Sequence, residues 1–428
     1  YMAVITDGVS DMAGNDSTPS QTYFLAKRTE PLVDQQGNST EPLLPDATVQ
    51  ALEPLRQIIS SQENAAVGAG IPREEIVMSW TMTTQSITPT LGLLASTTEP
   101  SETQFAPTGL TTGDVVPGSP GIADVFIGTI DLPYYLGVPS ADNPAAPLTK
   151  FWRAEPGAFV PPFDALGLNP ESTFVTVANP LPMQRDTQTV PVLMTVPNPL
   201  SGMSKPEAGW PVVIFQHGIT RNRSDMLAIA DTLAAQGFAV IAIDQPLHGI
   251  TQTDPTDPAQ PLAALYVENT PFGPIANERT FDLDLMDNET GAMAPDGEID
   301  PSGSFTVNLT SLPTARDNQR QASADLVVLA RTLPRIDING DQLPDLDGAR
   351  IGFVGQSLGA MVGIPFLALE PSVDAALLSV PGGGLAEMLN GSDTFGPQIR
   401  AGLQQAAGIE PGTPDFQAFL GAAQTVLD

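Results

Sequence analysis

The sequence predicts an α/β protein built on a mostly parallel sheet with helices on both faces, and three stretches carry that expectation. Residues 210–215 and 238–243 are continuous apolar runs of strand length, and residues 224–237 between them have helical spacing. Strand, helix, strand in this order is a βαβ unit, and strands covered on both faces belong in a parallel sheet. Further on, a short apolar run at 351–354 leads through Gly355-Gln356-Ser357-Leu358-Gly359 into a second apolar run long enough for a helix.

With 428 residues, 41% of them hydrophobic, the chain can form two or three domains with real cores. It carries 17 Lys and Arg against 49 Asp and Glu, a net charge of −32. Nucleic acid, whose phosphates need a basic footprint, is thereby excluded as a partner. The lysines are Lys27, Lys150 and Lys205, and the acid is spread along the chain, which reads as a solvated surface. No cysteine is present, so disulfides, thiolate chemistry and Cys-ligated zinc are excluded. No apolar run approaches the ~18 residues of a membrane span. Tyr1-Met2-Ala3-Val4-Ile5 reads as a strand entered in the middle, with no leader before it, so an export signal is expected to have been removed or not included.

Taken in order, residues 1–30 read as a strand, an Asp11-Met12-Ala13-Gly14-Asn15 turn and a second extended piece at 22–26. Residues 48–61 place Val49, Leu52, Leu55, Ile58 and Ile59 at helical spacing, and 76–83 is strand-like. Residues 98–122 are rich in Pro, Thr, Ser and Gly without periodicity, so the boundary between a β-rich or mixed domain of 1–121 and a second domain of 122–428 is placed there. Residues 124–133 and 190–196 alternate as half-buried strands do. Ser224 is expected to cap the helix that Gly237 closes. The stretch 250–313, rich in Asp, Pro, Gly and Asn, is an insertion, read equally as a lid or acyl-chain wall and as a surface excursion. Thr314 and Asp317 suggest a capping box for the next helix. Asp337, Asn339 and Asp341 match the first ligand positions of an EF-hand loop, but Gln342 and Gly348 stand where Gly and a bidentate Glu are required. An Asx-rich turn is the favoured reading there, a looser calcium loop the other.

The chemistry centres on Ser357. A serine held at the apex of a strand-turn-helix, with Gly355 and Gly359 making room, is a candidate nucleophile for acyl transfer. Two donors must face the oxyanion. One is the N–H of Leu358 at the helix N-terminus. The other is the N–H of Ile219, in the loop after the neighbouring strand, where Gly218 lets the backbone approach. His217, Gly218 and Gln356 are expected to support this arrangement. A serine also needs a histidine base held by a carboxylate. The chain has two histidines, His217 and His248, both upstream of Ser357 and both better read as loop anchors. Asp393, after the last strand, is the candidate acid, and no residue of the chain is assigned as the histidine base.

Gln216-His217-Gly218-Ile219-Thr220, Asp244-Gln245-Pro246-Leu247-His248-Gly249, Arg316-Asp317-Asn318 with Arg320-Gln321, and Gly355-Gln356-Ser357-Leu358-Gly359 together resemble the α/β-hydrolases. More narrowly, they resemble bacterial extracellular lipases with a virulence-factor lipase N-terminal domain, which Gly70, Ile76, Ser79-Trp80 and Thr84-Gln85-Ser86 fit less specifically. Residues 1–30 are similar to the end of an immunoglobulin-like module. The resemblance implies an extracellular or outer-membrane lipase or lysophospholipase. It would act on an ester or lipid substrate, touch lipid surfaces peripherally and need no cofactor. It also implies an α/β-hydrolase domain that stops at Asp428, before the strands that carry acid and histidine in such enzymes. The alternatives are a non-catalytic hydrolase-fold binding module and a polyester depolymerase or peptidase on the same fold. The sequence assigns no oligomeric state.

Overall fold

The computed structural model describes residues 1–81 and 88–427, which divide into two compact units between Ser86 and Ile87.

The first unit is mixed rather than β-rich. Its sheet has two antiparallel strands, β1 (Met2–Thr6) and β2 (Ile76–Thr81), with Val4 opposite Ser79. The expected second extended piece is instead helix α1 (Gln21–Ala26), started by the Ser20 hydroxyl, which accepts the Tyr23 N–H. The local N-cap outweighs the extended reading, and nothing of an immunoglobulin-like strand pair remains at 22–26. Helix α2 (Asp46–Gly68) buries Val49, Glu53, Arg56, Ile59 and Glu63, whereas Leu55 and Ile58 of the expected apolar face are exposed. The polar residues are buried because they are paired: Glu53 accepts from Arg56 and from the Leu32 N–H, and Glu63 lies 2.8 Å from Arg73. The sequence motif Thr84-Gln85-Ser86 lies outside the described residues.

The second unit begins well before 122. The Pro- and Thr-rich stretch contains strand β3 (Thr103–Thr111), which pairs antiparallel with β4 (Ala123–Tyr134). Pro107 and Gly109 hid the strand by breaking its alternation, and the register shifts between Pro107 and Thr111. Gly128 of β4 lies directly under Phe105, whose ring would be 2.4 Å from an added Cβ. β5 (Asp186–Pro197) follows antiparallel, then β6 (Trp210–Gln216), β7 (Ala239–Ile243), β8 (Leu346–Gln356) and β9 (Val373–Ser379). The sheet order is β3-β4-β5-β7-β6-β8-β9. The β7-β6-β8-β9 half is parallel, as expected, and β3, β4 and β5 join it through antiparallel ladders that make the far side of the sheet mixed.

Helix α3 (Leu227–Ala234) crosses from β6 to β7. It is entered by a 3-10 turn capped by Asn222, whose side chain accepts the Ser224 N–H, not by Ser224 itself. Helix α4 (Leu312–Thr332) starts after Ser311, so the expected capping-box residues Thr314 and Asp317 lie inside it and buried. α5 (Leu358–Leu369) joins β8 to β9. The main core gathers Val212, Ile214 and Ile241 of the sheet with Leu326 and Leu329 of α4 and Phe366 of α5. Three more helices, α6 (Leu385–Gly391), α7 (Gly396–Ala407) and α8 (Pro414–Leu427), pack together through Leu389, Leu403, Phe416 and Leu420. They also touch Ala315 and Met361, which sets them over the start of α5.

Candidate active site

Strand β8 ends at Gln356 and α5 begins at Leu358, so Ser357 alone makes the turn, at φ 52° and ψ −118°. Such a backbone costs a residue with a Cβ about 1–3 kcal/mol and persists only where its surroundings impose it. They do so here. The Ser357 N–H donates to the Ser379 carbonyl at 2.9 Å, and its own carbonyl accepts from Ala360 and Met361. The helix can come this close because Gly359 has no side chain. An added Cβ would stand 2.2 Å from the Gln216 carbonyl oxygen and 2.5 Å from that of His217. At Gly355 it would stand 2.7 Å from the Gly359 carbonyl oxygen.

The strain has a pattern. Each of the four parallel strands is followed by a residue other than glycine at positive φ: Thr220 after β6, Leu247 after β7, Ser357 after β8 and Val380 after β9. Ligands of open α/β sheets bind at the carboxyl ends of strands, and backbone strain collects at such sites.

The loop after β6 brings Gly218 against Ser357: its added Cβ would meet the Ser357 Cβ at 3.3 Å. Ile219, Ser357 and Leu358 then border one cavity. Neither the Ile219 N–H nor the Leu358 N–H has an acceptor among the described residues. His217 sets the first of these. Its Nδ1–H donates to the Gly218 carbonyl at 2.8 Å, and its Nε2 accepts the Gln245 N–H at 3.1 Å. The carbonyl of Gly218 and the N–H of Ile219 share one planar trans peptide and point in opposite directions, so docking the carbonyl on His217 turns the N–H away from the ring.

Both histidines are fully buried and their rings lie 4.9 Å apart. Burial holds both below the ordinary imidazole range, His248 at about 3, and each is neutral at physiological pH. His248 donates from Nδ1 to the Pro246 carbonyl at 2.9 Å, and its buried Nε2 has no partner among the described residues. Neither ring reaches Ser357, whose hydroxyl has no hydrogen-bond partner among the described residues.

Asp393 does not join the group. It is exposed in the turn before α7 and does not line the cavity, although its neighbours Ser392 and Phe395 do. The reason is local: the Ser392 hydroxyl accepts the Thr394 and Phe395 N–H groups and turns the intervening residue outward. Gln356 is also exposed. At the calcium candidates, Asp337 accepts the Asn339, Gly340 and Gln342 N–H groups and Asp341 accepts that of Leu343. These carboxylates close an Asx turn on themselves, and no metal-ligand cluster occurs among the described residues.

The cavity beside Ser357 measures about 190 Å³. The rest of its wall comes from α6, α8 and the turn before α7, from Ala315 and Gln319 of α4, and from Thr306 and Val307 of the insertion; of these the sequence offered only the insertion, as a lid or acyl-chain wall. Only the folded chain brings these together, since they lie far apart in sequence and have ordinary amphipathic patterns. The insertion itself is tied down by a buried arginine. Arg223 donates to both oxygens of Glu278, at 2.6 and 2.7 Å, and also to Asp244. The opposed guanidinium holds Asp244 below the ordinary carboxylate range, while burial pushes Glu278 up. The segment 316–321 is structural as well: Asp317 accepts the Trp152 N–H, and Gln321 pairs with the backbone of Tyr135 and Pro133.

The family model for platelet-activating factor acetylhydrolase, isoform II, matches residues 177–255, less than a fifth of the chain and the part that holds β5, β6, β7 and both histidines. No curated protein sequence matches. Among solved structures, the chain is similar to an acetyl xylan esterase from Paenibacillus sp. R4, with 12% identity over 81% of this chain and 76% of that one and a TM-score of 0.38. It is similar to acetyl xylan esterase 1 from Thermoanaerobacterium sp. JW/SL YS485, with 12% identity over 79% and 71% and a TM-score of 0.36. A cold-adapted esterase from an Arctic intertidal metagenomic library matches with 19% identity over 46% and 57% and a TM-score of 0.25.

Proposed function

We propose that this chain is a serine carboxylic-ester hydrolase of the lipase or lysophospholipase type, acting through an acyl-enzyme. One observation carries the reading: a strained Ser357 borders an apolar cavity beside two backbone N–H groups that have no acceptor among the described residues. In this reading Ser357 Oγ attacks the ester carbonyl, and the oxyanion rests on the N–H groups of Ile219 and Leu358. The alcohol then leaves, and water releases the acid. The match of residues 177–255 to an acetylhydrolase model supports it, because that stretch contains the Ile219 loop.

The described residues bring no base to Ser357, and that sets the expected rate. Serine hydrolases stripped of their histidine lose on the order of 10⁶-fold in turnover and keep what the oxyanion site supplies. A fluorophosphonate should therefore label the 428-residue chain over hours, at Ser357, as read by peptide mass spectrometry. Ser357→Ala and urea-unfolded protein should stay unlabelled. The unpartnered Ser357 hydroxyl also favours the second reading, a non-catalytic hydrolase-fold binding module. Absence of any adduct at Ser357 would overturn the hydrolase reading in its favour. Labelling within seconds would instead show that His217 or His248 leaves its carbonyl partner to act as base.

A further inference from the structure

We infer that the cavity beside Ser357 is an acyl site for esters of compact, uncharged, medium-length acids, of about six to eight carbons, rather than for acetyl or long-chain esters. The inference rests on the reading of Ser357 as the attacking group, which fixes where the carbonyl sits.

Three observations carry it. Ser357, Ile219 and Leu358 border the cavity, so an acyl group whose carbonyl is held between Oγ and the two N–H groups has the cavity beside it for its chain. The apolar wall is built by Met361, Leu385, Leu389, Phe395 and Leu427, and among the described residues no charged side chain lines it. Thr306, Gln319 and Ser392 also line it, but a carboxylate or an ammonium entering there would leave water without a counter-charge. The volume sets the length: an apolar cavity of about 150 Å³ accommodates one benzene ring, six carbons, so about 190 Å³ takes slightly more. An acetyl group leaves most of that space unfilled. A chain of sixteen carbons overruns it at the rim, where Met388 is 37% exposed.

The test separates the cavity from the chemistry by using Ser357→Ala, in which no bond can form. Methyl esters of unbranched acids from two to twelve carbons are titrated against it by ligand-observed NMR. Affinity should rise about fourfold per methylene, on the order of 200-fold from two carbons to six, and level off near eight. Met388→Trp, made at the exposed rim where folding is least at risk, should move the plateau down by two carbons or more. Affinity independent of length, strongest binding of the acetate ester, a rise continuing to twelve carbons, or a plateau unmoved by Met388→Trp would each overturn the inference. Fluorophosphonate labelling of the unmutated chain reads Ser357 alone, so loss of labelling with an intact length profile would sink the nucleophile and leave the cavity assignment standing.

Discussion

The tightness of the turn around Ser357 can be tested by one methyl group. In Gly359→Ala the new Cβ meets two backbone carbonyl oxygens, at 2.2 and 2.5 Å, both at the end of β6. Backbone cannot rotate away as a side chain can. Reaching an ordinary separation of 3.4 Å from 2.2 Å requires the strand end and α5 to part by about 1 Å. Overpacking a core with side chains costs about 1–3 kcal/mol, and a clash with backbone on both sides belongs at or above the top of that range. Alanine returns at most about 1 kcal/mol of helix propensity, so the net loss should be about 2 kcal/mol or more. Gly402→Ala is the internal control: it lies inside α7 with no atom within 4 Å of its added Cβ. It should gain about 0.5–1 kcal/mol. The assay is urea unfolding followed by fluorescence of the buried Trp152 and Trp210, both in the second unit. If Gly359→Ala unfolds within 0.5 kcal/mol of the unmutated chain, with an unchanged denaturant slope, the description of the turn is wrong.

Two further outcomes follow from the buried charges. His248 has its folded pKa near 3 because it is buried, below the unfolded value of about 6.5, so the unfolded state takes up the proton first as pH falls. Its contribution is complete above pH 6.5 and declines below it, by about 2 kcal/mol between pH 7 and pH 5. The stability difference between the unmutated chain and His248→Gln, measured by urea titration at both pH values, should shrink by that amount; a constant difference would show that His248 is charged in the fold. Arg223→Leu leaves Glu278 and Asp244 buried without their counter-ion and should cost about 3–5 kcal/mol. Limited proteolysis should then cut within 250–313, and an equally resistant insertion would contradict the tether.

The sequence made the parallel half of the sheet legible because buried strands there are unbroken apolar runs, as at Val212, Ile214 and Ile241. It also made the turn at Ser357 legible, since two glycines flanking a serine between strand and helix have few other uses. β3 was missed because an edge strand needs less regular pairing and tolerates Pro107 and Gly109. α2 was found, but its buried face was misjudged: ion pairs let Glu53, Arg56 and Glu63 go inside while Leu55 and Ile58 stay out, and hydrophobic spacing does not register pairing. Asp393 was chosen by position in the chain, and a hydroxyl-capped turn points it into water. Most of the cavity wall was beyond reach, because Leu385, Phe395 and Leu427 meet Met361 only after three separate helical segments have folded over α5.

Ile219 divides its labour between two ends of one residue. Its amide hydrogen is aimed by a carbonyl that belongs to the preceding residue and is moored on His217, while its side chain forms part of the cavity lining. Exchanging that side chain for a smaller or larger one therefore reshapes what the cavity admits without re-aiming the donor. In the proposed reaction, selectivity and charge stabilisation can drift independently at this position so long as proline is avoided.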